Sequence, residues 1–243
     1  MRANKSLIDG VLTELHAMCA DPEFFDEAPL GINCLSGFIS LSSSGKPIIL
    51  PHSPEQRQRF CIGASWPLDS VNASTTLTDK FFDGICGRSE AAQEGRTLLE
   101  EILGAACAGL GTRLKVPKAF VLHGPRGQNG KSEFIKLVRG VLPPDAHCAI
   151  APSEMGKEQF LADLAGKVAN LTSELSSSRS IASDKMKAVI SGDVVSAKRV
   201  YHPVFHFKPE ALHLFAANIL PTFHDGVDEG IRRRLLSFRS KKK

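Results

Sequence analysis

The sequence predicts an α/β protein: a central, mostly parallel sheet flanked by helices around a phosphate-binding loop, preceded by a small mixed α+β N-terminal domain. Three observations predict it. An apolar run at 119–122 breaks into a glycine-rich loop, 124–130, that ends in Lys131-Ser132 and leads into the helix-like stretch 133–139. Strand, glycine loop, Lys-Ser and helix in that order form a cradle for phosphate. Two later apolar runs, 167–174 and 212–218, end in polar residues, Glu174 and Asn218. The chain before residue 113 instead mixes helical stripes with short β-like runs, which divides it into 1–112 and 113–243.

Taken in order, residues 6–19 carry apolar side chains at 7, 8, 11, 12, 15 and 18, a helical stripe closed by Asp21-Pro22. Residues 37–41 and 48–50 read as two strands around the turn Ser42-Ser-Ser-Gly-Lys-Pro47, and 59–65 as a third short strand. The polar stretch 70–76 reads as a linker, and 77–86 and 90–110 as helices. The core opens at Lys118.

The loop chemistry is specific. Glycines let backbone N–H groups turn toward phosphate oxygens, and a helix N-terminus adds partial positive charge. Gly127, Gln128, Asn129, Gly130, Lys131 and Ser132 are the nucleotide-binding candidates, with Lys131 reaching the β- and γ-phosphates and the Ser132 hydroxyl available to Mg²⁺. The loop departs from the usual spacing: five residues separate Gly124 from Gly130, and Pro125 takes the expected first position.

Past the loop, 157–164 reads as a helix. The strand 167–174 delivers Glu174, a carboxylate suited to a Mg²⁺ shell or to activating water. A helix at 181–191 precedes 192–207, a basic hairpin carrying Lys198, Arg199 and His202 beside Tyr201, a combination that suits the phosphates and bases of a single strand. The strand 212–218 delivers Asn218, which can orient water or sense a γ-phosphate, or cap a turn before Pro221. Arg232-Arg233-Arg234 precede a final apolar strand. An arginine lent to a neighbour's nucleotide is worth about 10³–10⁵ in rate, roughly 4–7 kcal/mol.

Composition bounds the rest. The net charge of +4 is uneven: from Lys198 to Lys243 ten Lys/Arg face four Asp/Glu, leaving residues 1–197 at −2. A basic end on a mildly acidic body fits a phosphate-bearing partner. No apolar run approaches membrane-spanning length, no secretory signal is visible, and six scattered cysteines without a C-x-x-C pair suggest a reducing compartment, so a cytoplasmic location is expected.

As an ordered set, Asn129-Gly-Lys-Ser132, the strand to Glu174, Ser191-Gly-Asp-Val-Val-Ser-Ala-Lys-Arg199, Phe205-His-Phe-Lys-Pro209, Asn218 with Pro221, and Gly230-Ile-Arg-Arg-Arg234 resemble superfamily III helicases. They look most like the helicase part of phage and plasmid primase–helicases, relatives of the poxvirus enzyme. Gly37-Phe-Ile-Ser-Leu41 and Pro51-His-Ser-Pro-Glu55 resemble the small domain that precedes the ATPase there, so the likeness spans residues 30–238. The resemblance implies an AAA+-like core that assembles into a homo-oligomeric, hexameric ring, hydrolyses ATP with Mg²⁺ at subunit interfaces, and moves along single-stranded DNA. It implies Lys131 and Ser132 on nucleotide and metal, Glu174 in the Walker B role, Asn218 as sensor, Lys198 and Arg199 at the channel hairpin, and Arg233 or Arg234 as the finger. Many relatives carry two acids where this chain has Glu174 alone. Relatives also carry a primase segment before the matched region and further helices after it, so a separate primase or replication subunit is an expected partner. Two other readings are a nucleotide-binding accessory subunit that unwinds nothing and a small-molecule kinase, for which no acceptor site is visible.

Overall fold

A computed structural model describes residues 4–19, 21, 24–25, 27–66, 74–124, 129–175, 181–224 and 226–239. Five strands form one parallel sheet in the order β10-β4-β9-β6-β5: β4 is Ala119–His123, β5 His147–Cys148, β6 Ala169–Thr172, β9 Leu212–Ala217 and β10 Leu235–Arg239. A parallel sheet is covered on both faces, so its strands read as nearly unbroken apolar runs. β9, with all six residues buried, is the clearest case.

Helices fill both faces. On one face α2 (Thr76–Cys86), α3 (Glu90–Cys107) and α4 (Lys131–Val141) pack through Phe82, Leu99, Ile102, Phe134, Ile135 and Val138 onto Phe120, Leu122, Leu171 and Leu214. On the other, α5 (Glu158–Leu161), α6 (Ser183–Ser191) and α7 (Glu229–Arg234) contribute Leu161, Met186, Val189, Ile190 and Ile231 against Val121 and Phe215. Alternate side chains of a strand point to opposite faces, so β4 sends Phe120 and Leu122 one way and Val121 the other. The apolar core is therefore continuous from α2 and α3, which precede residue 112, into the sheet.

Ahead of these helices, β1 (Ile32–Cys34), β2 (Gly37–Leu41) and β3 (Pro47–Leu50) make a small antiparallel sheet. The strand expected at 59–65 forms a single bridge, Ile62 to Cys34; beyond it Leu35 N–H still donates to Ala64 O at 2.9 Å, so the segment stays beside the end of β1 without a longer ladder. The helix expected over 157–164 is only α5, because turns replace it after Leu161. The edge strand β5 was not expected: two residues give no periodicity to detect. The hairpin β7 (Val195–Lys198) and β8 (Val204–Phe207) stands apart from the main sheet. α1 (Lys5–Cys19) forms as its stripe predicts but buries none of its residues. Of the polar stretch expected as a linker, 70–76, residues 70–73 lie outside the described residues, and Thr76 already opens α2. Among the described residues no helix is long and apolar enough to cross a membrane.

One buried polar network ties the sheet together. Asn170 Oδ1 accepts from Ile150 N–H at 2.7 Å, and its Nδ2 donates to Ile150 O at 2.9 Å and to His213 Nδ1 at 3.2 Å. Acceptance at Nδ1 places the His213 proton on Nε2. Burial pushes the His213 pKa down to about 4, opposed only by the Val189 backbone.

Candidate nucleotide site

β4 ends at His123 and hands the chain to the glycine-rich loop; Gly124 N–H donates to Ala217 O at 3.3 Å, at the end of β9. Leu175 N–H donates to Ala216 O at 2.9 Å, which carries the end of β6 to the same level. Three neighbouring strands thus release the loop, Glu174 and Asn218 along one edge of the sheet, their carboxyl ends. Glu174 and Asn218 are both exposed there, and Glu174 borders a cavity of about 150 Å³ with Pro152, Ser153, Ile181 and Pro221.

Gly130 begins α4 in the left-handed region, φ +80°. A Cβ there would lie 2.4 Å from Ile85 Cγ1, so the position needs glycine both for its backbone and for its neighbour. α2 presses directly on the loop through that contact. Phe134, Ile135 and Val138 anchor α4 beneath, which fixes the direction of its first turn. Lys131 is buried; its Nζ donates to Gly124 O at 2.9 Å and to Asn129 Oδ1 at 2.8 Å. Burial holds its ammonium pKa below the usual lysine range. Ser132, one residue on, is exposed. Gly127 and Gln128 lie outside the described residues.

The donor set fits a hard cation. Magnesium is usually held by one or two carboxylates together with waters and phosphate oxygens, and Ser132 and Glu174 are exposed oxygen donors on adjoining segments. Among the described residues there is no cluster of three His, Cys, Asp or Glu that would hold a metal on its own.

Two residues that the pattern did not single out stand at the same edge. His123 pairs in register with Arg239, the last residue of β10. Burial first, then Arg239 and Lys131, lowers the His123 pKa, which keeps the imidazole neutral beside two cations. Neither residue belongs to a spacing motif; only the strand order brings them together.

The arginine cluster is elsewhere. α7 runs into the start of β10, where Leu235 pairs with Ala119, and Lys118 Nζ donates to Arg233 O at 2.7 Å. Arg232, Arg233 and Arg234 therefore sit at the amino edge of the sheet, a whole strand away from the loop. At ~3.3 Å per residue, β4 separates the two edges by roughly 13–16 Å. The two candidate fingers differ. Arg234 is half-buried, its Nε donating to Ser191 Oγ at 2.8 Å and its Nη1 to Gly230 O at 3.1 Å. Arg233 is exposed. Asp228 fixes the start of α7 by accepting from Ile231 N–H at 2.7 Å and pairing with Lys187 at 2.6 Å; Lys187, then that N–H, lowers its pKa.

Lys198, Arg199 and His202 are exposed around the β7–β8 turn. Tyr201 at the tip is fully exposed, at φ +63°. A large aromatic ring held in that backbone region and left in solvent costs free energy without packing in return.

Comparison with known proteins adds three findings. A family described as of unknown function (DUF5906) matches residues 122–234, which contain the loop, Glu174, the hairpin, Asn218 and the arginines. The chain is 27% identical over 242 residues to a protein named "Putative helicase L207/L206" from Acanthamoeba polyphaga mimivirus; the match takes in 96% of this chain but only 24% of that protein's length. Two solved structures of the NrS-1 C-terminal region share 13% identity, with TM-scores of 0.48 and 0.49. They cover 69% and 83% of this chain and 37% and 44% of theirs.

Proposed function

We propose that this chain is the ATP-hydrolysing module of a replication helicase of the phage or plasmid type, of the superfamily III kind, working as a homo-oligomeric, hexameric ring on single-stranded DNA. The observation that carries the reading is the common edge: the loop before Lys131, Glu174 and Asn218 all leave neighbouring strands at their carboxyl ends. The distant likeness to a viral protein named as a helicase supports it.

In this reading ATP lies against Gly127–Ser132 and the first turn of α4. Lys131 swings from its Gly124 and Asn129 contacts to the β- and γ-phosphates. Ser132 and Glu174 would hold Mg²⁺, which neutralises phosphate charge. Glu174 also orients the attacking water, and Asn218 reads the γ-phosphate. Arg233 acts on a neighbouring copy. At the amino edge it cannot reach its own nucleotide, and unlike Arg234 it is not spent on Ser191 and Gly230. Lys198, Arg199, His202 and the Tyr201 ring meet the strand.

The test is ATP turnover per subunit across a dilution series, with and without single-stranded DNA. Turnover should rise with protein concentration and with DNA, and vanish in Lys131→Ala. Constant turnover at every dilution with no response to DNA would sink the motor. Nucleotide binding without turnover would instead mark an accessory subunit docked on a primase.

A further inference from the structure

β10 borders the glycine-rich loop on the flank away from Glu174 and Asn218. In the order β10-β4-β9-β6, the strand that carries the loop has β9 and then β6 on one side and β10 alone on the other. Parallel pairing sets Arg239, the last residue of β10, level with His123, the last residue of β4. Neighbouring strands lie about 4.8 Å apart. The Arg239 backbone is therefore one strand away from the point where the loop begins.

Three observations make this arginine more than a solvated strand end. It is exposed, and among the described residues it has no hydrogen bond or ion pair. Arg57, Arg88 and Arg96, by contrast, each pair with a carboxylate. Its strand end is also held in one frame with the loop. Gly95 of α3 lies against Phe238, where a Cβ would come within 2.8 Å of the ring, while Ile85 of α2 lies against Gly130. Finally, the charges acting on His123 are Arg239 and Lys131, both cations. Like charges that converge on one strand end repel each other until an anion joins them.

We propose that Arg239 binds the α-phosphate of the nucleotide held by its own subunit's loop. The inference rests on the nucleotide reading of that loop and deepens it. Glu174 and Asn218 act on the terminal phosphate from the β6 and β9 flank, so the phosphates run from there across the end of β4 toward β10. Lys131 takes the β- and γ-groups, and Arg239 takes the group next to the sugar. The planar fork of a guanidinium suits the place, because it gives two parallel N–H bonds to phosphate oxygens. Arg233 serves a neighbouring copy from the amino edge, whereas Arg239 serves its own copy from the carboxyl edge. ADP and ATP both carry the group it holds, and holding it needs no assembly.

The experiment titrates fluorescent ADP and a fluorescent non-hydrolysable ATP analogue, with Mg²⁺, against the full chain at low concentration, followed by anisotropy. Arg239→Ala should weaken both nucleotides alike, about tenfold. Arg239→Gln keeps the aliphatic stem without the charge and carries the same expectation if Arg239→Ala fails to fold. A loss confined to the ATP analogue would overturn the proposal, because it would put Arg239 on the γ-phosphate. So would unchanged affinity in the Arg239 variants while Lys131→Ala abolishes binding; the loop would then stand as a nucleotide site without this residue. Binding that survives Lys131→Ala undiminished would remove the nucleotide reading of the loop and this inference together.

Discussion

At the scale of single residues, the candidate site turns on side chains whose surroundings decide what they can do. Gly130 is squeezed between its own backbone and Ile85, so Gly130→Ala should destabilise the protein by about 1–3 kcal/mol, read as a fall in the denaturant midpoint. Arg233→Ala should lower ATP turnover by about 10³-fold or more in concentrated protein and leave the melting temperature unchanged. Arg234→Ala should lower the melting temperature too, since it removes the Ser191 contact. Turnover and melting curves on both variants settle the assignment. The sequence offered the two arginines as equals because they are adjacent. Only the fold separates the one bound to α6 from the one in solvent.

Elements carry the next level. β9 is a six-residue strand buried along its whole length, and its His213 is the one titratable group fully inside the sheet among the described residues. With its folded pKa near 4 and an unfolded value near 6.5, the unfolded chain binds the extra proton between those limits. Stability is therefore complete above about pH 6.5 and declines as pH falls toward 4, by about 3 kcal/mol in all. Urea titrations at several pH values should show that slope, and His213→Leu should flatten it. The β7–β8 hairpin gives a second test. Tyr201→Ala should cost roughly 1–3 kcal/mol in single-strand affinity if a base stacks on its ring, measured by anisotropy at fixed salt. The long apolar strands and α2–α4 were legible because their periodicity extends over many residues. β5 and the shortened α5 were not, because two or four residues carry too little pattern, and 59–65 misled because β-like composition does not guarantee a ladder longer than one pair. The common edge of Lys131, Glu174 and Asn218 was legible in motif order, whereas His123 beside Arg239 depends on strand order, which no local spacing encodes.

At the scale of the whole molecule, the sheet separates the two halves of the proposed reaction. The loop, Glu174 and Asn218 occupy one edge and the arginines the opposite edge. Mixing Lys131→Ala subunits with Arg233→Ala subunits should therefore restore part of the turnover that neither has alone, because some interfaces then join an intact loop to an intact arginine. A titration of the two variants against each other, followed by phosphate release, measures it. The same separation has an economy built into it. If the proposed function holds, a stray copy, freshly made or shed from its assembly, would hold fuel it cannot burn, and nothing would be lost to idling parts until companions arrive and the work begins.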